Sequence, residues 1–108
     1  MIGWGYLLAA IFLEVCGTLS MKLSEGFTKT LPSVMIFVFY IASLFMLTLA
    51  VKRIDVSTAY AVWAGLGTTL IAVAGFVWFK EPVTVLKIVS IALIIMGVVG
   101  LKLTSESA

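Results

Sequence analysis

The sequence predicts an all-α membrane protein, with four transmembrane helices per subunit in one domain spanning residues 1–108. Three observations predict it. Hydrophobic residues make up 63% of the chain and charged residues 11%, where soluble domains run near one half and one quarter. A core built from 108 residues cannot bury so much apolar surface, so lipid must solvate most of it. Four apolar runs each approach the roughly 20 helical residues that cross a bilayer core. Every acidic residue but one lies in the links or the tail. Strands are excluded, because the runs lack alternating polarity and membrane barrels close only from about eight strands upward.

The first run, about Gly3–Met21, carries the exceptional acid, Glu14. A charged side chain near the middle of a span costs roughly 2.5–3.5 kcal/mol or more and normally faces a polar cavity or a partner. A proton, a bound cation or a basic neighbour must therefore compensate Glu14. No Lys or Arg precedes it, so the charged start of a secretory signal is missing. Leu13-Glu14-Val15 ahead of Cys16 is equally unlike a lipoprotein cleavage site, and the run is expected to be retained. With one cysteine and no histidine, neither an intrachain disulfide framework nor a Cys/His zinc site is possible. Cys16 reads as a small apolar filler. No metal or cofactor is expected. A net charge of +2 without a basic, aromatic-rich run excludes nucleic acid as a partner.

The polar link Lys22–Thr30 leads to the second run, about Leu31–Val51, with Pro32 in the first turn where a helix tolerates it. This run is uncharged and ends at Lys52-Arg53. After Asp55, Ser57 or Thr58 is expected to cap the third helix, about Ser57–Phe79. Lys80-Glu81-Pro82 closes it, and Thr84 caps the fourth, about Thr84–Leu103, before the polar tail Thr104–Ala108. Short links make neighbouring helices antiparallel.

The basic residues are nearly balanced across the membrane. Lys52, Arg53 and Lys102 fall on one side, and Lys22, Lys29, Lys80 and Lys87 on the other. Fixed orientation follows a Lys/Arg excess on the cytoplasmic side, so insertion both ways round is expected. Four spans enclose little wet space alone, which points to oligomerisation. In the fourth helix Ser90 and Gly97 share a face with Leu93 and Ile94 between them. Small residues of this kind let helix backbones meet closely in lipid.

The third helix holds Tyr60 and Trp63 one turn apart, an aromatic wall, followed by Gly65 and Gly67, which permit a bend or close approach. Trp4, Tyr6, Trp78 and Phe79 read as interface anchors. Around Glu14, helical spacing places Leu7, Ala10, Gly17, Thr18 and Met21 on or beside its face, and Tyr40 and Ser43 of the second helix add hydroxyls. One carboxylate, aromatic walls and few hydroxyls suit a bulky organic cation with an apolar body, drawn by charge and by cation–π attraction.

These residues resemble the small multidrug resistance family over essentially the whole chain. The likeness rests on Glu14-Val15-x-Gly17-Thr18, on Lys22-x-Ser24-x-Gly26-Phe27-Thr28 with Pro32-Ser33, and on Ala59-Tyr60-Ala61-x-Trp63-x-Gly65-x-Gly67. The resemblance implies an antiparallel dual-topology homodimer in the bacterial cytoplasmic membrane and proton-coupled export of organic cations. It makes Glu14 the shared proton and substrate group, with Tyr60 and Trp63 lining the site, Tyr40 and Thr18 supporting it, and Gly65-Leu66-Gly67 at a bend. The guanidinium-exporting branch carries glycine at the Ala10 position and tryptophan where Gly17 stands, so this chain is similar to the quaternary-ammonium and multidrug branch. Polyamine-type paired members carry an extra acid where Ala64 stands. Ser90 departs from a frequent glycine in the dimer helix. Lys80-Glu81-Pro82 occurs among guanidinium exporters, which keeps that substrate as an alternative; one half of an obligate heterodimer is a separate alternative. A non-transporting assembly module or pore subunit is the competing class.

Overall fold

The computed structural model describes the backbone of residues 2–107 and the side chains of residues 2–104. Four helices follow in order: α1 (Ile2–Leu23), α2 (Thr30–Ala50), α3 (Val56–Val77) and α4 (Val85–Ser107). α1 and α3 have 22 residues each, about 33 Å at 1.5 Å per residue, enough for a hydrocarbon core of about 30 Å. All four are long and apolar enough to cross a membrane, and no strand occurs among the described residues. The protein is a multi-pass membrane protein.

α1 is central. It packs along α2 on one side and against α3 on the other, and α3 packs against α4. The helices therefore form a layer, α2-α1-α3-α4, measuring 46 × 35 × 16 Å. Its thin dimension is less than half of either other. Burial falls along this order away from the centre: 33% of the apolar window of α1 is buried and only 6% of that of α4. The core, Leu7, Ile11, Ala50, Ile54, Ala59 and Val62, fills the half of the α1–α3 seam nearest the start of both helices. The other half of that seam is where space remains.

α1 runs to Leu23, two residues past its expected end, and α2 lies one residue earlier at both ends. α3 begins at Val56 after Asp55, which makes no side-chain cap, so Ser57 and Thr58 lie inside the first turn. Ile54 is drawn into the core, and the chain enters the helix directly behind it. α3 ends at Val77, two residues early; the Trp78 N–H still bonds Ala74 O at 2.7 Å, and Lys80 then turns the chain at φ 54°. α4 continues through the polar tail to Ser107. Its start is as expected, with Thr84 Oγ1 accepting from the Lys87 N–H at 3.1 Å.

Candidate functional site

Glu14 lies near the middle of α1 and faces α3. Its Oε1 accepts a hydrogen bond from Thr18 Oγ1, one turn later on α1, at 2.8 Å. The Thr18 hydroxyl also shares a short hydrogen bond with Tyr40 OH of α2. Tyr40 reaches that position because residue 17 is glycine: a Cβ there would lie 2.9 Å from the Tyr40 ring. Gly17 thus makes room for the aromatic ring that steadies Thr18. The other carboxylate oxygen points at α3, where a Cβ on Gly67 would lie 2.8 Å from Oε2. Among the described residues no lysine or arginine forms an ion pair with Glu14.

Glu14 opens onto a half-open cavity of about 330 Å³ lined also by Thr18, Trp63, Ala64, Gly67, Thr68 and Ile71. The indole Nε1 of Trp63 is buried without a hydrogen-bond partner. A buried N–H left unpaired costs about 1–3 kcal/mol, so this wall is short of an acceptor. Tyr60 stacks obliquely on Trp63, ring centroids 5.5 Å apart, but is itself 60% exposed and lies outside the cavity lining.

Glu14, Thr18 and Trp63 therefore meet at one cavity, with Tyr40 and Gly17 behind them. Leu7, Ala10 and Ser43 do not join them. Leu7 and Ala10 are fully buried in the packed half of the layer. The Ser43 hydroxyl, also fully buried, donates to Ala10 O across α1 and α2 at 2.7 Å. Its hydrogen is spent on the scaffold. α3 is helical without a break through Gly65 and Gly67, and what the geometry shows of both is close approach: a Cβ on Gly65 would meet Val98 at 2.7 Å and Ile94 at 3.2 Å. Ile94 consequently faces α3, whereas Ser90, Leu93 and Gly97 lie on the exposed face of α4. Nothing approaches within 4 Å of a Cβ on Gly97, so that glycine serves no packing inside the protomer.

Sequence reasoning missed Thr68 and Ile71 as lining residues and took Ala64 only as the place of an absent acid. Ala64, Gly67, Thr68 and Ile71 recur at helical spacing beside Trp63, a signal that could have found them.

Fold and site together define a small four-span membrane protein built around one carboxylate held inside the bilayer. The sequence pattern of the family described as "Small Multidrug Resistance protein" matches residues 2–94. The chain belongs to the small multidrug resistance family of transporters. It is 56% identical over 107 residues to "Uncharacterized membrane protein YvaE" of Bacillus subtilis, covering 99% of this chain and 90% of that one. It is 40% identical to "Multidrug resistance protein EbrB" of the same organism, covering 100% and 92%. To a "Guanidinium exporter" of Yersinia pseudotuberculosis it is 39% identical, covering 96% and 100%.

Proposed function

We propose that the protein exports hydrophobic and quaternary ammonium cations in exchange for protons, working as an antiparallel homodimer with Glu14 of both copies in one site. The observation that carries this reading is Glu14 itself, a carboxylate within a span that opens onto a cavity and has no basic partner among the described residues. A proton or a cation must balance its charge, and both compete for the same oxygens. The apolar and aromatic lining favours a cation with a greasy body, and Gly17, behind the cavity, leaves room for the Tyr40 ring that steadies Thr18.

Deprotonated, the two carboxylates hold the cation; protonated from the acidic side, they release it. Alternating access exposes them to one side of the membrane at a time. The exposed stripe of Ser90, Leu93 and Gly97 on the least buried helix supports its use as the dimer contact. Tyr60, exposed beside Trp63, is then available to the site shared by the two copies, and the Gly65–Gly67 segment to a bend between conformations. The similarity to a protein named "Guanidinium exporter", with Lys80-Glu81-Pro82 in this chain, supports a second reading in which the cation is guanidinium.

Solid-supported membrane currents from the purified protein test both. A quaternary ammonium, guanidinium and a polyamine are each applied under a proton gradient. Coupled current with the ammonium, lost in Glu14→Gln, is the expected result. Current with guanidinium alone selects the second reading, and activity only after addition of a related subunit selects a heterodimer.

A further inference from the structure

The wall of the Glu14 cavity is shared. Thr18 and Ile71 also line a second recess of about 180 Å³, completed chiefly by Lys22, Gly75, Phe79 and Glu81, at the membrane end where α1 and α3 finish. A hydrogen bond and a close contact shape it. The Glu81 N–H donates to Gly75 O at 2.9 Å, folding the link back onto the end of α3. The Glu81 carboxylate then rests directly on Gly75: a Cβ there would overlap Oε1 and lie 2.9 Å from the carboxyl carbon. The Lys22 ammonium sits 5.7 Å from the centroid of the Phe79 ring and forms no ion pair with Glu81.

The recess thus offers a carboxylate and an aromatic face, and the ring already carries an ammonium belonging to the protein. We propose that this recess is a peripheral site for organic cations on their way to and from Glu14, with Lys22 as a tethered occupant that the arriving cation displaces. The inference rests on the proposed organic-cation function. A carboxylate at the membrane edge raises the local concentration of cations and speeds their capture, and the Phe79 face adds cation–π attraction. Lys22 competes for the same ring, which keeps the site weak enough to release its guest inward, as a transit site must. Thr18 and Ile71 line both spaces, so the recess adjoins the Glu14 cavity.

A transit site alters rates of arrival and departure together and leaves equilibrium affinity at Glu14 in place. The test is stopped-flow tryptophan fluorescence of the purified full-length protein with benzyltrimethylammonium and, separately, phenylguanidinium. Glu81→Gln is expected to lower kon and koff alike by about threefold to tenfold, and to flatten the dependence of kon on ionic strength. Gly75→Ala, which keeps the charge but pushes it off its seat, is expected to act in the same direction. Lys22→Gln is expected to raise both rates, and it carries the test alone if the other variants fail to assemble. Unchanged rates in the variants that assemble, or a changed Kd at unchanged kon, overturn the proposal. If wild-type protein binds neither cation, or Glu14→Gln binds them as well as wild type, the proposed function itself fails. If wild type binds through Glu14 while the Glu81 and Lys22 variants match its kinetics, the peripheral site alone fails.

Discussion

Gly67 and Glu14 meet across the α1–α3 seam so closely that a methyl on the glycine would lie 2.8 Å from Oε2. Real side chains do not sustain that separation, so residue 67 and the carboxylate cannot both keep their places once a Cβ is present. The carboxylate ends a flexible side chain, so it is the group that yields, at little cost to the fold. Gly67→Ala is expected to weaken binding of a quaternary ammonium by about tenfold, read by calorimetry on the purified protein, with the helical content unchanged. Wild-type affinity in that variant would show that Glu14 has room the structure denies it.

Glu14→Gln removes the charge and keeps the shape. Coupled transport is expected to vanish, together with the proton release expected when an ammonium ligand is added to wild-type protein. Glu14→Asp, one methylene shorter, is expected to transport with a displaced pH dependence, measured as drug-driven current across a pH series. Accumulation against a proton gradient by Glu14→Gln would end the mechanism.

The hydroxyl pair behind Glu14 predicts an order of effects. Thr18 donates directly to the carboxylate at 2.8 Å, and a hydrogen bond to a charged group is worth about 1.5–3 kcal/mol. Tyr40 acts only through Thr18, a neutral contact worth about 0.5–1.5 kcal/mol. Thr18→Val should therefore weaken cation affinity more than Tyr40→Phe. The reverse order, from titrations under one buffer condition, would mean that Tyr40 touches the ligand itself.

Ser43 gives the complementary control. Its buried bond to Ala10 O ties α2 to α1 away from the cavity. Ser43→Ala is expected to lower stability by about 1 kcal/mol and leave ligand affinity within about twofold. A large affinity loss with unchanged thermal stability would return Ser43 to the site.

Much of this was readable before any coordinates. The four spans follow from hydropathy, and Glu14 with Thr18 and Gly17 follows from one charge and a helical repeat. What the repeat cannot supply is depth along the seam. Leu7 and Ala10 share the angular position of Glu14, yet they fall in the half of the α1–α3 contact that side chains fill. Nor does a hydroxyl in a sequence reveal its acceptor: Ser43 and Thr18 look alike, but one bonds a carbonyl and the other a carboxylate. Ile94 shows the same limit, because only the approach of Gly65 turns it toward α3 rather than outward. The seat of Glu81 depends on the backbone reversal at Lys80, which no residue pattern in the link announces.

Because α1 stands between two neighbours, its contacts divide into two independent seams. The Tyr40–Thr18–Glu14 chain belongs wholly to the pairing of α1 with α2, while Gly67 and Trp63 belong to α3. Sliding α3 past that pair changes the wall Glu14 looks at without breaking either hydroxyl link. Under the proposed exchange, the carboxylate would face first one compartment and then the other while its own supports travel with it.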